Sequence, residues 1–166
     1  KSEKRVAEMK KEFTLRAALP GDGQAIFHVT RQSIAELSNG LYTPEQLNGW
    51  MGERTPEFYE QLIKQGQLVV ALQLGKIVGF VDSEPGEVTR LFLLLEASGK
   101  GLGAHLLKTG IDNARGPGIR FIKVESTLNA EGFYKKHGFV TQRQGFFSHG
   151  VGGQPIEIIH MELELE

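Results

Sequence analysis

The chain of 166 residues has no cysteine, and this absence excludes disulfide bonds, thiolate metal sites and cysteine nucleophiles. No apolar run approaches the roughly 18 residues that a membrane-spanning helix needs, and the N-terminal residues lack the apolar region of a signal peptide. An excess of charge is also missing, because 19 basic and 20 acidic side chains leave a net charge of −1. A chain without a basic field does not attract nucleic acid or anionic lipid. We therefore expect a cytoplasmic protein without a nucleic-acid or membrane partner.

The remaining composition is that of one folded domain. Hydrophobic residues make up 40% of the chain and charged residues 23%, and neither internal repeats nor a low-complexity linker divides it. We assign residues 13–166 to a single domain. Residues 1–12 are interpreted as an N-terminal extension, either a frayed helix or vector-derived residues, to which we assign no function.

Hydrophobic periodicity predicts the element order β-α-α-α-β-β-β-α-β-α-β-β, a mixed α/β domain with a βαβ unit in its middle. Asp22 is predicted to cap the first helix, whose apolar positions extend to Leu37. Thr43 and Thr55 each precede a proline and a glutamate, which is a strong start signal for the next two helices. The apolar run 91–95 predicts a strand that is buried on both faces and leads directly into a glycine-rich stretch.

That stretch, SGKGLG at residues 98–103, alternates glycine with other residues just before a helical pattern. Backbone amides that are free of Cβ crowding, together with a helix N-terminus, suit a phosphate group. A Walker P-loop is excluded, because Gly101 follows Lys100 and position 94 is leucine. A dinucleotide fingerprint ending at Ala104 lacks its usual context at the start of a Rossmann domain. Two interpretations of the glycine-rich stretch remain. It binds a coenzyme with a pyrophosphate and an extended thiol arm, or it is a tight turn that binds nothing.

A second motif, NAEGFYKKHGF at residues 129–139, lies one predicted strand further on. With these two motifs the chain resembles the GCN5-related N-acetyltransferases (the GNAT family), which are acyl-CoA-dependent enzymes. Their signatures are an apolar strand followed by Q/R-x-x-G-x-G/A at a helix start, and N-A-x-x-F-Y-x-x-x-G-F. The resemblance extends over residues 13–165, but only 88–139 is specific. Ser98 departs from the Gln or Arg of the first signature, which removes one side-chain contact near the phosphates.

The resemblance implies a central mixed, mostly antiparallel sheet of about seven strands flanked by helices. In that fold the strand 89–95 diverges from the strand 121–125, and the pantetheine arm of acetyl-CoA lies between them. A backbone amide beside the arm would polarise the thioester carbonyl. The residues implied in coenzyme binding are Phe92, Leu93, Ser98, Gly99, Lys100, Gly101, Leu102, Gly103, Asn129 and Lys136.

Tyr134 is the residue that the resemblance implies in catalysis, since a phenol can donate a hydrogen bond or a proton to the departing thiolate. The attacking amine must be neutral, and a lysine-like amine is neutral in only about one molecule in 2,500 at pH 7. A general base is therefore expected. We favour Glu87 among the acidic residues Asp82, Glu84, Glu87 and Glu125, each of which could otherwise be a solvated acid.

The implied reaction is direct acetyl transfer from acetyl-CoA to the amine of a small molecule or peptide. Tyr42 and Trp50 lie in the segment that forms the acceptor wall in this family, although single aromatics are more often core, and His149 is a further candidate to face the acceptor. The five histidines show no ligand spacing, so no metal is expected. A peptide N-terminus, lysine, polyamine, aminoglycoside and small amino acid stay open as acceptors.

Two functions from other classes also stay open. A non-catalytic acyl-CoA-binding or regulatory module of the same fold is compatible with Ser98, whereas Tyr134 favours the enzyme. A Rossmann-type oxidoreductase is the more distant alternative. A homodimer is an open option, because edge strands of this fold often pair between subunits.

Overall fold

The computed structural model describes residues 12–36, 40–52, 54–149 and 156–166. The predicted extension 1–12, except Glu12, and the predicted helix position Leu37 lie outside these ranges. The elements follow the predicted order and are β1 (Thr14–Ala17), α1 (Gly23–Ala35), α2 (Pro44–Met51), α3 (Pro56–Lys64), β2 (Val69–Gln73), β3 (Lys76–Glu84), β4 (Glu87–Leu93), α4 (Leu102–Ala114), β5 (Phe121–Ser126), α5 (Glu131–Lys136), β6 (Val140–Phe146) and β7 (Glu157–Glu164).

The strands form one seven-stranded sheet in the order β1-β2-β3-β4-β5-β7-β6. Every neighbouring pair is antiparallel except β4 and β5, which are parallel and joined through α4. The predicted mixed, mostly antiparallel sheet with a central βαβ unit is confirmed. None of the helices in the described ranges is long and apolar enough to cross a membrane.

The parallel pair is very short, and this feature creates the site described below. Only Glu87 with Lys123 and Val88 with Val124 are paired between β4 and β5. Beyond Val88 the two strands diverge, as the family resemblance implies. The edge of β4 that faces β5 is therefore without a strand partner over its remaining residues.

Helices cover both faces of the sheet. On one face α4 lies so close to β3 that a Cβ atom on Gly110 would lie 2.6 Å from Val81 Cγ2. On the other face Phe80 packs against Tyr59 of α3, with their ring centroids 6.3 Å apart. Both aromatic side chains are fully buried. Phe80 and Val81 serve opposite faces because alternate residues of a strand point to opposite sides of the sheet.

The helix starts agree with the sequence at two positions and differ at one. Thr43 accepts a hydrogen bond from Gln46 N in a complete capping box, and Thr55 accepts one from Phe58 N. Asp22 precedes α1, but its side chain makes no capping bond. The prediction for Asp22 was wrong because its carboxylate pairs with Arg16 at 2.7 Å and accepts from Leu19 N.

The apolar run 91–95 also differs from the prediction. Strand β4 ends at Leu93, and a short 3-10 turn (Leu95–Ala97) separates it from the glycines. Residues 91–93 are only half-buried and Leu95 is exposed. The run is not buried on both faces, because the strand beside it has turned away and left a cavity.

Candidate active site

A cavity of about 360 Å³ occupies the gap between the diverging strands, which is a size typical of small-molecule sites. We call it the β4–β5 cavity. Its walls come from the end of α1, the end of β4, the glycine-rich residues 98–103, the loop after β5 and α5. The lining residues are Ser33, Glu36, Leu91, Phe92, Leu93, Leu95, Ser98, Gly103, Thr127, Asn129, Ala130, Phe133 and Tyr134.

The residues predicted for coenzyme binding divide into two groups. The first group lines the β4–β5 cavity and consists of Phe92, Leu93, Ser98, Gly103 and Asn129. The second group is not among the lining residues. Four of its members, Gly99, Lys100, Gly101 and Leu102, stand between Ser98 and Gly103 in the same loop. Lys100 and Lys136 are exposed and are not among the lining residues that the structure describes.

The end of β4 is held in place from α1. Ser33 Oγ donates a hydrogen bond to Leu93 O at 3.4 Å, and Leu95 N donates to Glu36 Oε2 at 3.2 Å. On the side of β3, Leu94 N donates to Val78 O at 2.8 Å. These contacts keep the half-buried edge of β4 extended although no strand pairs with it on the cavity side.

Residues 98–103, which we call the glycine loop, adopt a conformation that needs glycine at two positions. Gly99 and Gly101 have φ angles of +78° and +82°, in the left-handed region that side chains disfavour. Gly101 is the N-cap of α4 and no side chain caps this helix, so its first amides are free to meet an anion. A Cβ on Gly103 would lie 3.4 Å from the Phe133 ring, which brings the loop against α5.

Ser98 does not replace the side-chain contact that the family's Gln or Arg provides. Its Oγ donates to Leu95 O at 2.7 Å and thereby closes the 3-10 turn. The backbone of the glycine loop, rather than this side chain, is what remains for a phosphate group.

Tyr134 lies in α5 and lines the β4–β5 cavity. Its ring packs between Phe133 and Phe139, with centroid distances of 5.2 and 5.5 Å. Burial raises the pKa of Tyr134 well above that of a free phenol, so the hydroxyl keeps its proton. No other group in the described part of the chain hydrogen-bonds to this hydroxyl, which leaves it available to a ligand.

A cluster of charged side chains lies on the sheet face that carries α3, near the start of β4. We call the five residues Arg54, Asp82, Glu87, Arg90 and His149 the polar wall. His149 Nε2 donates to Glu87 Oε2 at 2.7 Å, and this bond raises the pKa of His149 although burial opposes it. Arg90 pairs with Asp82 at 3.2 Å, and Arg54 Nη2 donates to His149 O at 3.3 Å.

The other predicted acids have different surroundings from Glu87. Asp82 is buried against Arg90, and its burial raises its pKa. Glu125 accepts from Ser148 N and Oγ at 2.8 and 2.7 Å, which anchors the loop after β6. Glu84 is exposed, and the candidate ligand atoms of Glu84, Glu87 and His149 lie within 4.8 Å of one another, a set that could accept a cation.

Tyr42 and Trp50 are both buried, as core aromatics would be, and both also support the site. The Tyr42 hydroxyl donates to Glu157 O at 2.8 Å and accepts from Leu128 N at 2.9 Å. Trp50 packs edge-on against Phe92, at 6.2 Å between centroids. Trp50 therefore stands directly behind a residue of the cavity wall.

The two arginines of the polar wall, Arg54 and Arg90, were not predicted from the sequence. Arg90 had a local signal, because it is a charged residue in the middle of a strand and an apolar run follows it directly. Arg54 had none, since it lies in the short connection between α2 and α3, where an arginine is ordinarily solvated.

Comparison with known proteins shows the family of this chain. Residues 40–165 match the family model described as an acetyltransferase (GNAT) domain. The chain belongs to the GNAT acetyltransferase family. Among curated proteins it is similar to the uncharacterized N-acetyltransferase YafP of Escherichia coli (strain K12), with 26% identity over 125 residues, 75% of this chain and 79% of that protein.

Solved structures agree on the fold. A GCN5-related N-acetyltransferase from Rhodopseudomonas palustris superposes with a TM-score of 0.82 at 23% identity, over 92% of this chain and 95% of the other. The PaiA N-acetyltransferase from Thermoplasma acidophilum, solved in complex with coenzyme A, gives a TM-score of 0.72 at 20% identity, over 93% and 99%.

Proposed function

We propose that this protein is an N-acetyltransferase that moves the acetyl group of acetyl-CoA directly to the amine of a small molecule or peptide. The observation that carries the proposal is the β4–β5 cavity, where the unpaired edge of β4, the glycine loop and the free hydroxyl of Tyr134 meet.

The residues of the cavity fit an acyl-CoA thioester. A pantetheine arm carries amide groups, and the edge of β4 beyond Val88 offers backbone groups that no strand pairs with, so each can satisfy the other. The free amides of Leu102, Gly103 and Ala104 at the start of α4 suit the pyrophosphate. Lys100 and Lys136 would act from outside the cavity as flexible point charges, and Asn129 would hold the arm near the reacting end.

The reaction joins the amine nitrogen to the thioester carbon and breaks the carbon–sulfur bond. Tyr134 holds the proton that stabilises the departing sulfur. Burial raises the pKa of the phenol, and it raises the pKa of a thiolate in the same cavity for the same reason. The proton can therefore move toward the sulfur as negative charge develops there.

Glu87 is the group that we propose to accept the proton of the incoming ammonium, directly or through water. The His149 N–H at 2.7 Å fixes the orientation of its carboxylate. Asp82 is less suited to this role because it is already paired with Arg90.

A second candidate function is a non-catalytic acyl-CoA-binding module. It is favoured by one observation, the engagement of the Ser98 hydroxyl by Leu95 O, which leaves the phosphates without that side chain. Such a module would bind acetyl-CoA without turnover, so binding and catalysis must be measured separately.

Isothermal titration calorimetry of the purified protein with acetyl-CoA, CoA and NAD is the first test. We expect micromolar binding of acetyl-CoA and CoA and none of NAD. An amine screen that follows thiol release then separates an enzyme from a binding module. Absence of acetyl-CoA binding would contradict both functions, and binding without turnover on any amine would favour the module.

The proposed function includes the location, acceptor class and oligomeric state of the protein. The balanced charge and the lack of cysteine support a cytoplasmic enzyme whose acceptor is neither a nucleic acid nor a membrane component. The transfer that we propose needs no metal, because Glu87 and Tyr134 handle its two protons, although Glu84, Glu87 and His149 could accept a cation. The edge strands β1 and β6 are the surfaces through which a homodimer would form. Val140 and Phe146 on β6 are exposed, and light scattering measures whether two copies associate.

A further inference from the structure

Two buried guanidinium groups on the polar wall are only partly compensated. Arg54 is 7% exposed, and its guanidinium donates to two neutral acceptors, Trp50 O and His149 O. No carboxylate in the described part of the chain pairs with it. Because arginine stays protonated in proteins, this is a buried positive charge without a carboxylate partner among the described residues.

Arg90 adds a second cation beside the first. Its Nη1 pairs with Asp82, but its Nε is buried without any hydrogen-bond partner among the described residues. Burial lowers the pKa of Arg54, Tyr59 acts in the opposite direction, and the positive charge of Arg90 lowers the pKa further. Asp82 is thus the one carboxylate that pairs with either arginine in the described part of the chain, and a buried donor without a partner is unfavourable until a ligand binds it.

Aromatic rings hold the two guanidinium groups together. The Cζ atoms of Arg54 and Arg90 lie 5.7 and 5.6 Å from the centre of the Phe58 ring, and Arg54 Cζ lies 5.8 Å from that of Phe147. Stacking of this kind fixes the position of the planar guanidinium and leaves its edge N–H groups able to meet a planar anion.

The pair lies within reach of the β4–β5 cavity. Arg90 and Phe92 stand opposite Asp82 and Phe80 in the same register, so their side chains share one face of β4, about 7 Å apart along the strand. Phe92 lines the cavity. A small molecule whose amine lies at the cavity could therefore extend to Arg90 and Arg54.

The polar wall also offers the opposite charge. Glu87 and Glu84 stand at the start of β4 beside His149, so the wall presents cations and carboxylates side by side. A planar carboxylate matches the guanidinium fork, and an ammonium group matches the glutamates. The ligand complementary to this arrangement carries both charges.

From this arrangement, and resting on the proposed acetyl transfer, we infer that the acceptor is a small amine that bears a carboxylate, an amino-acid-like zwitterion whose carboxylate binds Arg54 and Arg90. Polyamines and aminoglycosides, which carry no carboxylate, are then poor acceptors.

Trp50 provides a test that does not depend on turnover, because it is the only tryptophan of the chain and its carbonyl accepts from Arg54. Tryptophan fluorescence would be titrated with the standard amino acids and with the α-carboxamide of each, at saturating CoA. We expect saturable binding of at least one amino acid and at least tenfold weaker binding of its carboxamide. Equal affinities, or no saturable signal with any amino acid, would overturn the inference.

Variants then connect the selectivity to the arginines. Arg54→Met should remove the preference for the carboxylate, and Arg54→Lys should restore part of it. Arg115→Met, at an exposed arginine just after α4, should change nothing. Circular dichroism checks the fold of each variant, and the wild-type comparison of acid with amide stands even if Arg54→Met does not fold. Unchanged preference in a folded Arg54→Met protein would overturn the inference.

The same samples separate the two proposals. Carboxylate-selective binding in a protein that does not bind acetyl-CoA in the calorimeter would contradict the acetyltransferase proposal alone. Acetylation of amino acids and their carboxamides with equal KM would contradict the carboxylate site alone. In the expected case the carboxamide raises KM at least tenfold and leaves kcat nearly unchanged, as lost ground-state binding requires.

Discussion

The β4–β5 cavity presents backbone amides, glycines and, apart from Glu36, uncharged side chains, whereas the polar wall next to it presents charged side chains, four of which are held in two pairs. Most of the cavity is made by short continuous stretches of chain, namely the end of β4, the glycine loop, the loop after β5 and α5, and the end of α1 completes it. The wall is made by residues far apart in the sequence, such as Glu87 and His149. Backbone recognition suits a coenzyme that never changes, and side-chain recognition suits an acceptor that differs between relatives.

The first prediction tests whether acetyl transfer takes place in the β4–β5 cavity. Tyr134→Phe removes the group that we propose to hold a proton for the departing sulfur, and general acid catalysis contributes about 10²–10⁴-fold. We expect kcat to fall at least about hundredfold while the calorimetric affinity for acetyl-CoA stays within twofold. Full turnover by this variant would show that the thiolate leaves unassisted, and the cavity would then be a binding site alone.

The second prediction tests the polar wall. Glu87→Gln keeps the shape of the side chain but removes the base, and we expect kcat/KM to fall about hundredfold, at the lower end of the range of general base catalysis. Affinity for acetyl-CoA should not change, because Glu87 does not line the cavity. Equal losses of acetyl-CoA affinity and turnover would mean that cavity and wall are not separate.

The same variant has a pH signature. Glu87 raises the pKa of His149, so the charged pair stabilises the fold fully below the unfolded histidine value of about 6.5 and loses this effect as pH rises through the folded pKa. Wild type should therefore melt above Glu87→Gln at pH 5.5, and the gap should close at pH 8.5. NMR titration of the His149 ring should show a lower pKa in the variant. A gap that widens with pH would contradict this assignment.

The third prediction concerns the backbone of the glycine loop. Gly101 has a φ of +82°, and a side chain in the left-handed region costs about 1–2 kcal/mol. Gly101→Ala should shift or strain the first turn of α4 and weaken acetyl-CoA binding about tenfold, with the KM for the acceptor unchanged. Gly132→Ala in α5 is the matched control, because a Cβ there would meet nothing within 4 Å.

The smallest expected effect would strengthen the cavity. Ser98→Arg introduces the residue type that the family signature carries, so acetyl-CoA should bind about threefold more tightly, as a single exposed charge interaction allows. The Ser98 bond to Leu95 O is lost in this variant. Weaker binding would show that closing the 3-10 turn matters more than an added charge. Ser98→Ala, which removes the bond without adding charge, distinguishes the two contributions.

The fold and the cavity could be predicted because their signals are local. Thr43 and Thr55 start their helices with their own side chains, and the glycines and Tyr134 occur within short motifs. The apolar run 91–95 was misread for a physical reason, since periodicity indicates that residues are apolar but not whether the neighbouring strand stays close enough to bury them.

The polar wall could not be predicted because its contacts join distant residues. Glu87 and His149 are 62 positions apart, and Arg54 and His149 are 95 apart. Glu60 gives the same lesson at the start of α1, where it accepts from Gly23 N at 2.6 Å across 37 positions. Each of these side chains is an ordinary surface residue in sequence terms, and only tertiary packing selects its partner.

The hydroxyl of Tyr42 gives the site a shared tether. Burial raises the pKa of Tyr42, so the group stays protonated and can serve two partners, Glu157 O and Leu128 N. Leu128 precedes Asn129 of the cavity, while Tyr42 itself leads into α2, the helix that carries Trp50 behind the wall. A single oxygen atom therefore joins the loop that precedes Asn129, the start of α2 and the start of β7, so a movement that breaks either bond frees the cavity loop or β7 from the helix that carries Trp50.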